Sequence, residues 1–188
     1  MFSRLIAEMK TVADFSETDI SLFISLLDRV TLEKGDHFLR LGQVSYHVAY
    51  IDSGLAMHYQ LYDGVEIPVD FTQENQWLAY LKSFATQTPS EMGMKILEDT
   101  VLFRLSAQNM QRLFELQPKF MAMKNHYTEL SLLAVAGHGA DLVTLPAKAR
   151  YYKFMKEKPG LINRIPQYYI AAYLGIKPQS LSRIRKEG

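Results

Sequence analysis

The chain has 188 residues, enough for one large or two small domains, and 48% of them are apolar, enough for a buried core. Its formal net charge of +1 hides a basic end: residues 145–188 carry ten Lys+Arg against two Asp+Glu, and residues 1–144 carry eleven against eighteen. There is no cysteine, which excludes disulfides, thiolate nucleophiles, cysteine-held iron–sulfur clusters and Cys-based zinc sites. No apolar run is long enough for a bilayer and no signal-peptide pattern opens the chain, so the expectation is a soluble, cytoplasmic protein without a membrane partner.

In chain order, Phe2 to Lys10 reads as a short amphipathic helix. Ser16-Glu17-Thr18-Asp19 reads as a helix start, with Ser16 as the cap. That helix runs to about Asp28 and buries Ile20, Phe23, Ile24 and Leu27. The period then changes. Val30–Leu32, Asp36–Leu41, His47–Asp52, Leu55–Tyr62 and Val65–Phe71 are short, roughly alternating, and rich in β-branched and aromatic residues. Lys34-Gly35-Asp36, Gly42-Gln43, Asp52-Ser53-Gly54 and Asp63-Gly64 separate them as turns, the last as a two-residue hairpin. Lys95–Glu98 and Thr100–Leu105 add two strands, with Glu98-Asp99 as the turn between them. Strands at this spacing predict an antiparallel sandwich or barrel.

Ser106 caps a helix to about Leu116, and Pro118 opens a longer one to about Val135 or Ala136. Phe120, Met123, Tyr127, Leu130 and Ala134 alternate by three and four along it, the seam of a coiled coil. We read this stripe as a dimer interface, the alternative being a two-sided core helix within one copy. A second stripe (Met121, Leu132, Val135) is free to pack on the barrel. Gly137-His138-Gly139 reads as a hinge. Leu145–Lys156 is a basic amphipathic helix, stopped by Pro159-Gly160.

Residues 167–186, QYYIAAYLGIKPQSLSRIRK, read as a helix-turn-helix. Ile170, Leu174, Ile176, Leu181 and Ile184 supply its apolar contacts, Ala171 is the small residue at the crossing, and Gly175 allows the chain to bend. Pro178 suits the first turn of the second helix. Gln179, Ser182, Arg183 and Lys186 share its outward face. Gln can pair with adenine, Arg can fork onto guanine, and Ser can serve base or phosphate. The alternative is a helical hairpin with a solvated basic face. The charge division noted above favours a nucleic-acid-binding domain joined to another module, with chance clustering of Lys and Arg as its alternative.

Barrel, seam helix, Gly hinge and C-terminal helix-turn-helix, in that order, resemble the Crp/Fnr transcription regulators over essentially the whole chain. The most specific part is RIPQYYIAAYLGIKPQSLSRIRK, residues 164–186. The resemblance implies an α+β chain in three parts. Residues 1–117 form an antiparallel β-barrel (a cyclic-nucleotide-binding-like jelly roll) with flanking helices. Residues 118–139 form a dimerisation helix and hinge. Residues 140–188 form an all-α or winged helix-turn-helix domain. It implies a homodimer whose two recognition helices, here about 177–186, enter successive major grooves of double-stranded DNA ~34 Å apart. Gln179, Ser180 and Arg183 match the base-reading positions, while Lys177, Ser182, Arg185 and Lys186 match backbone contacts. RNA polymerase is a further partner of such a protein.

One departure concerns the effector. Members that bind cyclic nucleotides carry a Gly-Glu pair and an Arg. Residues 71–92 here lack the pair, and no Arg stands between Arg40 and Arg104. Lys82, Ser83, Thr86 and Ser90 offer donors, yet a cyclic nucleotide is not the expected ligand. Trp77 and Tyr80 admit a more apolar, unidentified effector, against the preferred reading of barrel core.

No enzyme is expected. The five His (His37, His47, His58, His126, His138) show no metal-ligand spacing, and no P-loop, GxSxG or dinucleotide fingerprint occurs, so no catalytic residue, metal or cofactor is assigned. The alternatives carried forward are a barrel module that does not bind DNA, and a cupin-like metalloprotein using His37, His47 and His58.

Overall fold

The structure is a computed structural model that describes residues 2–186. The chain forms two compact units. The first runs up to His58 and from Phe71 to Leu130; the second takes Tyr59–Asp70 and the chain from Ser131 onward.

The first unit opens with α1 (Ser3–Val12), which buries Leu5 and Met9. In α2 (Glu17–Ser25) the expected cap is present in both directions: Asp19 N–H donates to Ser16 Oγ at 3.2 Å and Ser16 N–H to Asp19 Oδ2 at 2.7 Å. The strands are β1 (Asp28–Leu32), β2 (His37–Leu39), β3 (His47–Tyr62), β4 (Val65–Gln73), β5 (Trp77–Leu78) and β6 (Gly93–Ser106). They form one sheet in the order β1-β6-β3-β4, with β2 also on β6 and β5 also on β3. β1 and β2 pair antiparallel with β6, as β5 does with β3. Leu39, Ile51, Ala56, Leu78, Met94, Ile96 and Leu102 meet in a single core, with Val30 and Leu32 packed beside them, so five strands face one interior.

Two expected turns are absent. Asp52-Ser53-Gly54 and Glu98-Asp99 each lie inside a continuous strand, β3 and β6. At Gly54 the backbone turns to φ +110°, and a Cβ there would stand 2.8 Å from the Asp99 carbonyl oxygen. The turn-like residues therefore mark the place where one strand approaches the other too closely for any side chain. Asp63-Gly64 does form the expected hairpin turn, with φ of 49° and 76°.

A short helix, α3 (Leu81–Thr86), follows β5. α4 (Ala107–Leu116) is capped by Ser106, whose Oγ accepts Asn109 N–H at 3.0 Å. α1, α2 and α4 cover a second core made of Leu5, Phe15, Phe23, Tyr50, Leu113 and Phe120, among others.

The long helix α5 spans Phe120–Thr144 and runs through Gly137-His138-Gly139 without a break. That corrects the expected end at Ala136. Neither glycine adopts positive φ. Glycine costs about 1 kcal/mol relative to Ala in a helix, which weakens it without ending it. The stop comes at Pro146, since the residue before a proline is driven out of the helical region. α6 (Ala147–Glu157), a 3₁₀ turn (Leu161–Asn163), α7 (Gln167–Tyr173) and α8 (Pro178–Lys186) complete the second unit. Among the described residues no strand follows Ser106, so the C-terminal segment is all-α there and shows no wing.

Candidate nucleic-acid interface

α7 packs on α8 as the sequence requires. Ile170, Ala171, Leu174, Leu181 and Ile184 are all buried, Ala171 completely, and Ile176 is half-buried. At the end of α7, Ile176 N–H donates to the Ala171 carbonyl at 2.9 Å and Gly175 N–H to that of Ala172 at 3.0 Å. Gly175 sits at φ +64° between them. These two bonds are a Schellman closure, in which the left-handed residue is usually glycine. They set the direction in which the chain leaves for α8.

On α8, Leu181 and Ile184 take the inward face. Lys177 just before it and Gln179, Ser182, Arg183, Arg185 and Lys186 on it are exposed; Ser180 is half-buried. Arg183, Arg185 and Lys186 lie in the last helical turn, where the helix dipole favours cations. This surface offers donors and cations to an anionic partner. Sequence reasoning missed Arg150, whose Nε donates to the Leu174 carbonyl at 2.9 Å and whose Nη1 donates to that of Leu145 at 2.5 Å. One guanidinium thus satisfies the open end of α7 and the segment that follows α5. Only the fold brings those carbonyls together.

The two stripes of α5 differ in exposure from what their spacing suggests. Phe120 and Met123 are buried in the first unit's own core, and Tyr127 packs against it. The Tyr127 hydroxyl donates to Glu8 Oε2 at 3.2 Å, and burial pushes its pKa up to about 12. Phe15 and Phe23 stack on Phe120 with ring centroids 4.6 and 5.5 Å away. Phe120 and Met123 are therefore enclosed in the chain's own first-unit core, and Tyr127 is partly covered by it. Leu130 and Ala134 are exposed. The stripe expected to pack on the barrel is open instead: Met121 is 46%, Leu132 66% and Val135 64% exposed, along with Leu133 at 68% and Val143 at 86%.

The expected effector groups are engaged within the first unit. Lys82 pairs with Glu91 at 2.6 Å. Ser83 Oγ accepts from Ser45 N–H at 2.9 Å and donates to the Thr88 carbonyl at 2.6 Å. Thr86 bonds to the Lys82 carbonyl, and Ser90 bonds to Met92. Trp77 packs among Tyr50, Phe23 and Tyr127, as barrel-side core. Tyr80 packs against the sheet interior. His58 bonds to Thr72 at 2.8 Å, and burial lowers the His47 pKa. Among the described residues no three His, Cys, Asp or Glu side chains are grouped to hold a metal ion, so the structure does not assemble the cupin-like trio.

The arrangement of sheet, long helix and terminal helix pair is the fold of the Crp/Fnr transcription regulators, with a cyclic-nucleotide-binding-like N-terminal part. Its similarity to particular solved structures is extensive in coverage and low in identity. The c-di-GMP-responsive global regulator CLP from Xanthomonas campestris aligns with a TM-score of 0.72 at 16% identity, over 92% of this chain and 91% of that one. FixK2 from Bradyrhizobium japonicum aligns at 0.76 and 14% identity, over 86% and 83%. CooA from Carboxydothermus hydrogenoformans aligns at 0.69 and 14%, over 93% and 79%. No protein-family model matches the sequence, and no curated protein sequence matches it.

Proposed function

We propose that this protein is a homodimeric, DNA-binding transcription regulator of the Crp/Fnr type and not an enzyme. The observation that carries the reading is the division of α8: Leu181 and Ile184 fasten it to α7, while Gln179 and Arg183 stand exposed. Gln179, Ser180 and Arg183 read base edges in the major groove. Lys177, Ser182, Arg185 and Lys186 engage phosphates. The fold shared with CLP, FixK2 and CooA supports the same assignment.

The dimer forms through the exposed part of α5. Leu133, Ala136, Ala140 and Val143 alternate by three and four there, next to Leu130 and Ala134. Small residues at the middle positions allow two helices to approach closely. The N-terminal unit acts as the sensor module. With no Arg between Arg40 and Arg104 and its hydroxyls engaged internally, its effector is not a cyclic nucleotide. RNA polymerase is the downstream partner, and the protein works in the cytoplasm.

Fragments of genomic DNA retained by the protein, followed by titration against salt, test the reading. Three or four cations from each of two copies give a slope of log K against log salt of about −5 to −7. A slope near zero, or no retained fragment at low salt, would sink the proposal and favour a barrel module that does not bind DNA.

A further inference from the structure

The β3–β4 hairpin belongs, from Tyr59 to Asp70, to the same compact unit as the helix-turn-helix. It holds Asp63, Glu66 and Asp70 and no Lys or Arg, while residues 145–188 hold ten Lys+Arg. Two of its three acids grip that unit. The Tyr169 hydroxyl, on α7, donates to Glu66 Oε2 at 2.6 Å. Lys158 Nζ, just past α6, donates to Asp70 Oδ1 at 2.5 Å. Lys158 also lies 5.7 Å from the centre of the Tyr173 ring, which stacks on His138 of α5 at 4.1 Å and 6°. Tyr169 is 7% exposed and Glu66 half-buried, so their bond is partly removed from water. By contrast Leu61, Tyr62 and Val65 at the far tip are exposed. The end of the hairpin is thus held by a few polar contacts and not by burial of its apolar tip, which is how a segment able to open is built.

We propose that this acidic hairpin is an autoinhibitory latch: docked through Glu66 and Asp70, it holds α7 and occupies Lys158 in a state that disfavours duplex DNA, and its release raises affinity. The inference rests on the DNA-binding reading above. α7 is the helix on which α8 is seated, so what holds α7 holds the reading helix. The basic unit that a polyanion would approach also carries the carboxylates of the chain's own hairpin, and Lys158 is already paired with one of them. A contact made in the free state and lost in the bound state lowers apparent affinity by its own equilibrium constant.

The test uses the full chain and a mixed-sequence duplex about 30 base pairs long, which spans two grooves. Tyr169→Phe with Asp70→Asn removes the hydroxyl that bonds Glu66 and the charge that pairs with Lys158, while nearly keeping side-chain volume. Binding is expected to tighten about tenfold, and amides 59–70 are expected to exchange faster with solvent while those of β1 and β6 do not. Asp63→Asn removes one charge from the turn without touching the latch. If it tightens binding as much as the double variant, simple charge repulsion explains the gain and the latch is overturned. The cysteine-free chain allows a second arm. Glu66→Cys with Tyr169→Cys, joined by a short bis-maleimide, is expected to bind about tenfold more weakly than the same protein left unjoined. Equal binding by joined and unjoined forms overturns the latch alone. No binding by any form overturns the DNA-binding reading, and the latch falls with it.

Discussion

Replacing Gly175 by Val tests whether the turn between α7 and α8 supports the second unit alone. The backbone there sits at φ +64°, and a Cβ would come 3.2 Å from Leu142 Cδ2. The left-handed conformation costs an L-residue roughly 1–2 kcal/mol, with a β-branched side chain at the upper end. The leucine tip can yield by a few tenths of an ångström, and crowding from the two γ-methyls adds about 1 kcal/mol. The sum is about 2–3 kcal/mol, which for a unit of this size lowers the melting temperature by about 10–20 °C. Asn tolerates the left-handed region, so Gly175→Asn is expected to lose about 1 kcal/mol or less. The assay reads the units separately. Trp77 is the chain's single tryptophan and lies in the first unit, so its emission follows that unit. Amide exchange in α7 and α8 follows the other. The expected result is a large loss in the helices with the Trp77 transition unmoved. A Trp77 transition that falls in parallel would show one cooperative body, and an unchanged pair of transitions would show that the closure bond at Gly175 carries no weight.

Three further outcomes are expected. Leu133→Glu, at a 68% exposed position, shifts sedimentation from dimer to monomer and removes the dependence of melting on protein concentration; an unchanged dimer would place the interface elsewhere. Arg183→Ala weakens binding to a selected site by about 1–3 kcal/mol and relaxes the preference at one base pair, whereas Lys186→Ala reduces the salt slope by about one per copy with the preference intact; identical footprints for the two variants would show that Arg183 reads no base. Burial lowers the His138 pKa below its ordinary 6.5, with Lys158 and Lys153 working the same way and Asp70 and Asp141 opposing. A proton is then taken up by the unfolded chain first, so the stability of the second unit is full above pH 6.5 and is lost as pH falls through the depressed value. His138→Gln should flatten that acid-side loss in amide-exchange profiles; a profile that matches the parent's would remove His138 from the account.

The C-terminal helix pair was legible because its signals are local. A glycine, a small residue four positions earlier and two inward apolar residues specify it within a single stretch of twenty. The strand rhythm was legible for the same reason, yet it broke two strands in the wrong places. Gly54 and Asp99 carry turn chemistry, but their cause is a crossing between segments some forty-five residues apart. β5 has two residues and α3 six, too few for a repeating pattern to stand out. What covers the stripes of α5 was hidden for a different reason. Periodicity says that Phe120, Met123 and Tyr127 face one way, and it does not say which surface waits there. The answer lay in Phe15 and Phe23, which no pattern links to them. Arg150 and the Glu66–Tyr169 bond were invisible because they join backbone ends and side chains that only the folded chain sets side by side.

On α8 the side chains of Gln179, Ser182 and Lys186 are exposed while Leu181 and Ile184 are buried. A change at the exposed Gln179 therefore creates no cavity in that pair, and a duplicated copy of this chain could alter the outward surface of α8 while its scaffold stayed the same. Selection for solubility or thermal resistance would pass over such changes without notice.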